Sequence, residues 1–337
     1  MLFVCCGGGT GSHPDSGVGT EADSGAGLVT DVSASVAEDV LPGATADSSA
    51  SVAEAALGSA ADLTADSATE SGSACTVEQP ADWANWSVSD SPNKLRDNGD
   101  GTTYDATTGL TWMNGPLTGG PNGDGTFTWA EAQGLCACPW RLPQRIELFS
   151  IVDYTTSNPA MNAAAFTATS QTYWTATRYR GSSILVYAVD FAIGGGIMAS
   201  KLDNRRVRCV QTKTSVPASR YTVSTNDSTG VVEVHDSLTQ LHWKQAIEPE
   251  TYAWADARVR CTDPYRLPTV SELQTLVVTD IGSVTTDPIA FPNAPSENIW
   301  SSTPYQPSPG SGWYVHFFDG LPGHISPGNA YQVRCVR

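Results

Sequence analysis

The first 93 residues contain no lysine, no arginine and no tyrosine, and their first tryptophan is Trp83. They carry 14 acidic residues, whereas residues 94–337 hold 21 acids against 18 bases, so most of the formal net charge of −17 sits in front. Large aromatic side chains dominate core packing, and a segment lacking them while bearing one sign of charge cannot supply a core. Nowhere is there a basic excess, which excludes a nucleic-acid binder that must displace counterions from phosphate. No apolar run approaches the roughly 18–20 residues that cross a bilayer. Histidine is scarce, five in all, without zinc spacing, and His13 falls in the acidic front.

What the front does contain is Ser, Ala, Gly, Thr, Asp and Glu, with Ser33–Glu38 echoed at Ser49–Glu54. Such a composition buries too little area to offset its ordering entropy. Residues 7–93 therefore read as a disordered acidic linker, a pair of weak Ala-rich helices at the echoes being the alternative. Residues 1–6, Met-Leu-Phe-Val-Cys-Cys, resemble the end of a lipoprotein signal with a shortened apolar stretch. Cys5 or Cys6 would carry the lipid; an untethered secreted protein is the other reading, and membrane contact is expected only through such an anchor.

The remainder is a duplication. Asp105-Ala-Thr-Thr-Gly-Leu-Thr-Trp112 matches Asp236-Ser-Leu-Thr-Gln-Leu-His-Trp243, and Trp140-Arg-Leu-Pro143 matches Tyr265-Arg-Leu-Pro268. Glu147-Leu148 pairs with Glu272-Leu273, Trp174-Thr-Ala-Thr with Trp300-Ser-Ser-Thr, and Val207-Arg-Cys-Val210 with Val333-Arg-Cys-Val336. The order never changes, so residues 94–213 and 219–337 are expected to be two copies of one α+β unit. Each should open with a short hairpin. An amphipathic helix follows (Trp129, Ala132, Cys136; Trp254, Ala257, Cys261), then a second helix after Arg-Leu-Pro (144–152; 270–278), and closing strands.

Each copy has one cysteine ending its first helix and one in its last strand. Internal bridges Cys136–Cys209 and Cys261–Cys335 are the simplest pairing and imply an oxidising, extracytoplasmic compartment. Cys75 and Cys138 remain in the folded part, where Cys75 could tie the linker's end to the first copy.

Taken together, Asp-x-x-Thr-Gly-Leu-x-Trp, Thr-Trp-x-x-Ala, Trp-Arg-Leu-Pro, Glu-Leu, Trp-Ser-Ser-Thr, Trp-Tyr-Val-x-Phe and Val-Arg-Cys-Val-Arg resemble the Lcl C-terminal domain family, over roughly 97–211 and 221–337. The resemblance implies an extracellular, generally non-enzymatic domain with a C-type-lectin-like arrangement, hence two tandem C-type-lectin-like domains. For an adhesin of that family it implies binding of sulfated glycans. This chain departs from the pattern at Gln240, where the first copy has Gly109, and at Trp174-Thr-Ala-Thr.

A catalytic apparatus should recur in both copies, yet His235, His242 and His316 align with Tyr104, Thr111 and Asp190. The shared polar residues are Asp105/Asp236, Arg141/Arg266, Glu147/Glu272 and Arg208/Arg334, and they read as ion pairs and turn caps. No enzyme is expected, with a relative of formylglycine-generating oxidases as the distant alternative. No metal or cofactor is expected either. Calcium is the one ion left open, because Asn122, Asp124, Gly125 and Glu131 follow a calcium loop whose first ligand position is Gly120.

The segment before the last strand differs most between copies, the pattern of a scaffold carrying a variable site. Ligand-binding candidates are Arg178, Tyr179, Arg180, Tyr187, Asp190, Lys201, Asp203 and Arg205 in the first copy. In the second they are Trp313, Tyr314, His316, Asp319, His324, Asn329 and Tyr331. Cations favour sulfate, so the first copy is the better sulfated-glycan candidate. The ligand is expected to be a glycan or, alternatively, a host or cell-surface protein that the repeats bind as display modules. The oligomeric state is left open.

Overall fold

A computed structural model describes residues 80–88, 93–167, 169–211, 219–279 and 286–337. Cys5, Cys6, Cys75 and most of the expected linker lie outside the described residues. Within them the chain is two successive copies of one strand-rich α+β unit. The first opens with β1 (Leu95–Asp97), β2 (Thr102–Asp105) and β3 (Thr111–Met113), and its last strand, β7 (Val210–Gln211), returns to pair with β3. Between them lie α1 (Trp129–Leu135), α2 (Arg145–Ser150) and an antiparallel meander of β4 (Thr172–Arg178), β5 (Leu185–Asp190) and β6 (Gly195–Ser200).

The second copy repeats the plan. β8 (Tyr221–Thr225), β9 (Val232–Asp236) and β10 (His242–Lys244) form the front sheet, and β11 (Tyr252–Ala253) pairs with β15 (Ala330–Tyr331). α3 (Trp254–Arg260), α4 (Val270–Thr275) and the meander β12 (Asn298–Pro304), β13 (Gly312–His316) and β14 (Leu321–Ile325) follow in the same order.

Local chemistry explains the short helices. The Thr128 hydroxyl and the Glu131 carboxylate cap α1 reciprocally. Trp129 and Ala132 turn inward three residues apart, as Trp254 and Ala257 do in α3. At α2 a buried carboxylate does two jobs: Glu147 accepts the Gln144 backbone N–H at 2.7 Å and pairs with Arg141 at 2.5 Å. Glu272 does the same for Thr269 N–H and Arg266, although Arg266 is half exposed. Each meander then separates two cores. Val189 and Phe191 pack with Leu148 on one side, and Val186 and Ala188 pack with Trp129 on the other.

The remaining shared polar residues are structural as well. Asp105 and Asp236 each accept a backbone N–H two residues on and a threonine hydroxyl three on, closing the front turn. Gln240 takes the left-handed conformation of Gly109, φ 63° against 73°, and anchors itself by donating Nε2–H to Ser237 O at 2.6 Å. Arg208 and Arg334 are buried and donate to the backbone carbonyls that end β3 and β10. Burial lowers the Arg334 pKa to about 10. The Thr175 and Ser301 hydroxyls donate to Tyr187 O and Trp313 O, so the Thr-for-Ser exchange keeps its hydrogen bond.

Both expected bridges, Cys136–Cys209 and Cys261–Cys335, are present and span 73 and 74 residues of sequence. Cys138 is also disulfide-bonded. Loops of that length are worth about 4–5 kcal/mol each on the chain-entropy model, and such bridges persist in an oxidising, extracytoplasmic setting. No helix among the described residues is long and apolar enough to cross a membrane.

One expectation fails. The linker was expected to run to residue 93, yet residues 80–88 belong to the folded unit, with Ala84 and Trp86 in the first core. Asp82 accepts from Arg145 Nε at 3.1 Å, from the Ile146 backbone N–H at 3.0 Å and from the Thr279 hydroxyl of the second copy at 3.3 Å. The physical reason is charge: Arg145 is fully buried, and a buried cation needs a partner. Arg145 also donates to Gln274 Oε1, joining α2 to α4. At the same joint Tyr187 O–H donates to Asp319 O at 2.6 Å, and Tyr154 meets Trp313 edge-on at 5.2 Å.

Two stability predictions follow from these pairs. Asp82→Ala should cost about 3–5 kcal/mol in urea unfolding because it strands Arg145, and Arg145→Met in that background should recover part of the loss. In the second copy Arg337, aided by the Tyr265 hydroxyl, holds the Glu233 carboxyl down to about 2 from an ordinary 4.5. Because the folded pKa is the lower one, this stabilisation is complete above the unfolded value and is lost as pH falls from about 4.5 toward 2. Glu233→Gln should flatten that acid limb by about 1–2 kcal/mol, the partly exposed Arg337 being screened by solvent.

Candidate functional site

The bulged end of β4 carries the densest group of predicted ligand residues. Arg178 ends the strand, Tyr179 and Arg180 follow it, and Lys201 lies just past β6, next to Ile184 by a backbone hydrogen bond from Lys201 N–H. All four line one open groove of about 850 Å³, whose walls also include Gln133 of α1, Gln144 at the start of α2, residues Pro80–Asp82 and Thr279 of the second copy.

The cations are positioned, not loose. The Trp129 ring is fixed by its Nε1–H donating to Thr175 O at 2.8 Å. The Arg178 guanidinium and the Lys201 ammonium lie 5.5 and 5.1 Å from that ring's centroid, near enough for cation–π attraction. Lys201 Nζ also donates to Ser183 O. Beneath them the floor is knitted together: Thr177 O–H donates to Gln144 Oε1, and Gln144 Nε2–H donates to Pro80 O at 2.9 Å. Among the described residues Asp82 is the one acid on the wall, and its carboxylate is engaged by Arg145 and the α2 backbone. Among the described residues the groove is thus lined by Arg178, Arg180 and Lys201, a set of side chains that suits a polyanion.

Other predicted residues are placed elsewhere. Asp190 sits at the far end of β5, opposite Thr172, where it caps the turn through Ala192 N–H. Asp203 and Arg205 pair with each other at 3.0 Å. Tyr187 is 1% exposed, and Trp313, its counterpart in the second meander, is equally buried. Both are corrected from ligand contacts to packing residues, because they face the other copy across the joint and not solvent. Burial also raises the Tyr187 phenol above its usual range.

The second-copy candidates divide into two groups. Tyr314 and Tyr331 stack around the buried Trp300, at 6.3 and 4.7 Å, on the face packed against α3. His324 lies flat on Tyr305 at 3.5 Å and edge-on to Trp313, where burial lowers its pKa. His316 meets Asp319 at 3.1 Å, and Asn329 donates to Ser326 O in an exposed turn. None of these residues lines the first copy's groove.

Sequence reading missed Trp129 as the platform for two cations, and missed Pro80–Asp82, Gln144 and Thr279 as groove walls. A signal for the first wall was present: Trp83 and Trp86 are the only large aromatics other than Phe3 ahead of residue 94. Asp124, weighed as a calcium ligand, instead accepts Thr126 N–H at 2.9 Å in a turn. Among the described residues no group of three or more His, Cys, Asp or Glu could hold a metal ion.

Fold and site define a tandem, disulfide-stapled α+β module. Residues 101–211 and 232–337 each match the Lcl C-terminal domain, together well over half of the chain, and the chain belongs to that family. No curated protein matches it.

The reassignment of Tyr187 is testable. Tyr187→Phe should lower stability by about 1 kcal/mol through loss of its bond to Asp319 O, read from the unfolding midpoint, and should leave any ligand affinity of the groove unchanged.

Proposed function

We propose that this chain is an extracytoplasmic, surface-displayed binding protein that holds an anionic glycan in the first copy's groove and does not transform it. The convergence of Arg178, Arg180 and Lys201 along one groove carries this reading. Sulfate esters are acceptor-rich anions that guanidinium groups meet with paired N–H donors, and the half-buried Tyr179 ring offers a face for a sugar. The C-type-lectin-like arrangement belongs to the same reading. It is supported by the return of the last strand to the front hairpin and by a disulfide from first helix to last strand in each copy. Absence of chemistry is supported by the histidines: His235 and His242 stack on each other at 4.5 Å on the second front sheet, on elements that do not line the groove.

The test uses the full oxidised chain with immobilised heparin as the sulfated probe. Binding should weaken steeply between about 50 and 500 mM salt as counterion release loses its advantage. Replacing both Arg178 and Lys201 by Ala should weaken it at least tenfold, the loss of about 1.5–3 kcal/mol per charge-assisted contact, with an unchanged unfolding midpoint. Equal binding by the variant would overturn the reading. No heparin binding by the wild-type chain, together with capture of a surface protein, would favour protein display instead.

A further inference from the structure

The joint between the copies makes a second cavity with a different chemistry. Duplication puts equivalent residues at equivalent corners. Thr177 accepts the backbone N–H that starts α2, and Thr303 accepts the one that starts α4, at 2.8 and 3.0 Å. From that register Arg178 corresponds to Pro304 and Arg180 to Gln306. The loop after the second helix of the opposite copy closes each corner, Thr279 beside the first and Tyr154 beside the second. Each corner lines a cavity, so both cavities need the tandem to exist.

The second cavity measures about 340 Å³, within the range of small-ligand sites. Its cationic positions have been replaced. The lone charged side chain on its wall is Asp153, whose carboxylate accepts from Thr155 N–H and O–H within its own turn. Its apolar lining includes Trp86, Ile146 and Phe149, polar side chains of the first copy such as Asn93 and Asn162 also line it, and the second copy contributes Ser271, Ser302 and Gln306. Among the described residues none accepts from or donates to the side chains of those three.

We infer that this joint cavity binds an uncharged, hydroxylated ring, a neutral pyranose unit, with its C–H face on Trp86 and Phe149 and its hydroxyls toward Ser271, Ser302 and Gln306. Walls that carry no cation among the described residues exclude an anion, which would have to desolvate without a counter-charge. A wholly apolar ligand would leave the facing hydroxyl and amide groups without water or partner. A ring that is apolar on its faces and polar on its rim satisfies both walls. This inference does not depend on the cationic groove.

The experiment is saturation-transfer NMR on the full oxidised chain with the methyl pyranosides of glucose, galactose and mannose. At least one should show saturable transfer to its ring C–H protons, unchanged at 0.5 M NaCl and in Arg178→Ala. Ser271→Trp, which fills the cavity from α4, should weaken that binding at least fivefold. Should its unfolding midpoint fall, the paired truncation Ser302→Ala with Gln306→Ala serves instead, with about a threefold to tenfold loss expected. Transfer to none of the probes overturns the inference. So does binding that survives both variants, or binding that is lost with Arg178→Ala or salt, which would place the sugar in the cationic groove.

Discussion

The buried charge of Arg145 is the constraint around which the tandem is arranged. A guanidinium at the start of a helix, where the first backbone N–H groups lack intrahelical acceptors and carry the positive end of the dipole, is unfavourable unless an acid reaches both. Asp82 does so with one carboxylate, taking Arg145 Nε and the Ile146 N–H, and its second oxygen also receives Thr279 O–H from the other copy. Because that carboxylate precedes the first repeat, the segment before the domain becomes part of the domain. Because Arg145 also donates to Gln274, the same cation ties α2 to α4. The segment ahead of the first repeat, the first copy and the second copy therefore meet at one ion pair, whose Asp82 also walls the first groove.

Duplication explains why the rest is economical. Every polar group shared by the copies is spent on geometry: Glu147 and Glu272 start helices, Asp105 and Asp236 close turns, and Arg208 and Arg334 hold the ends of β3 and β10. These contacts are internal to each copy, so selection on a ligand has no leverage on them. Side chains at the bulged corner of the meander carry no such duty beyond the first threonine. That is where Arg178 and Arg180 stand in one copy and Pro304 and Gln306 in the other.

Much of this was legible in the sequence. Repeated anchors gave the two copies, the Trp–Ala–Cys spacing gave α1 and α3, and cysteine placement gave both bridges. The third meander strands were not legible, and the reason is packing between copies. β6 reads Gly-Gly-Ile-Met-Ala-Ser and β14 reads Leu-Pro-Gly-His-Ile, poor strand sequences by propensity. Gly196 favours the close approach, because a Cβ there would lie 2.8 Å from the Leu321 side chain, 3.0 Å from Pro322 and 3.1 Å from Phe149, and these would have to give way. The residue that weakens the local signal is the one that lets the copies approach. Likewise Tyr187 and Trp313, on a variable strand, read either as ligand contacts or as strand-core residues, and both are buried at the joint. Local pattern reports what each copy does alone; the joint is non-local.

The same argument bears on where recognition can reside. A binding site made from one copy would be present twice and would diverge only by drift in each. Sites made at the joint are different from the outset, since each combines one copy's corner with the other copy's loop, and the segment at Pro80–Asp82 reaches only one of them. That segment walls the first groove directly, while Trp86, a few residues later, floors the second cavity. Asymmetry is thus imposed by a single strand of chain that cannot occupy two equivalent places at once. Given that asymmetry, three cations on one cavity and none on the other, among the described residues, is a division of charge that a symmetric pair of identical cavities could not achieve.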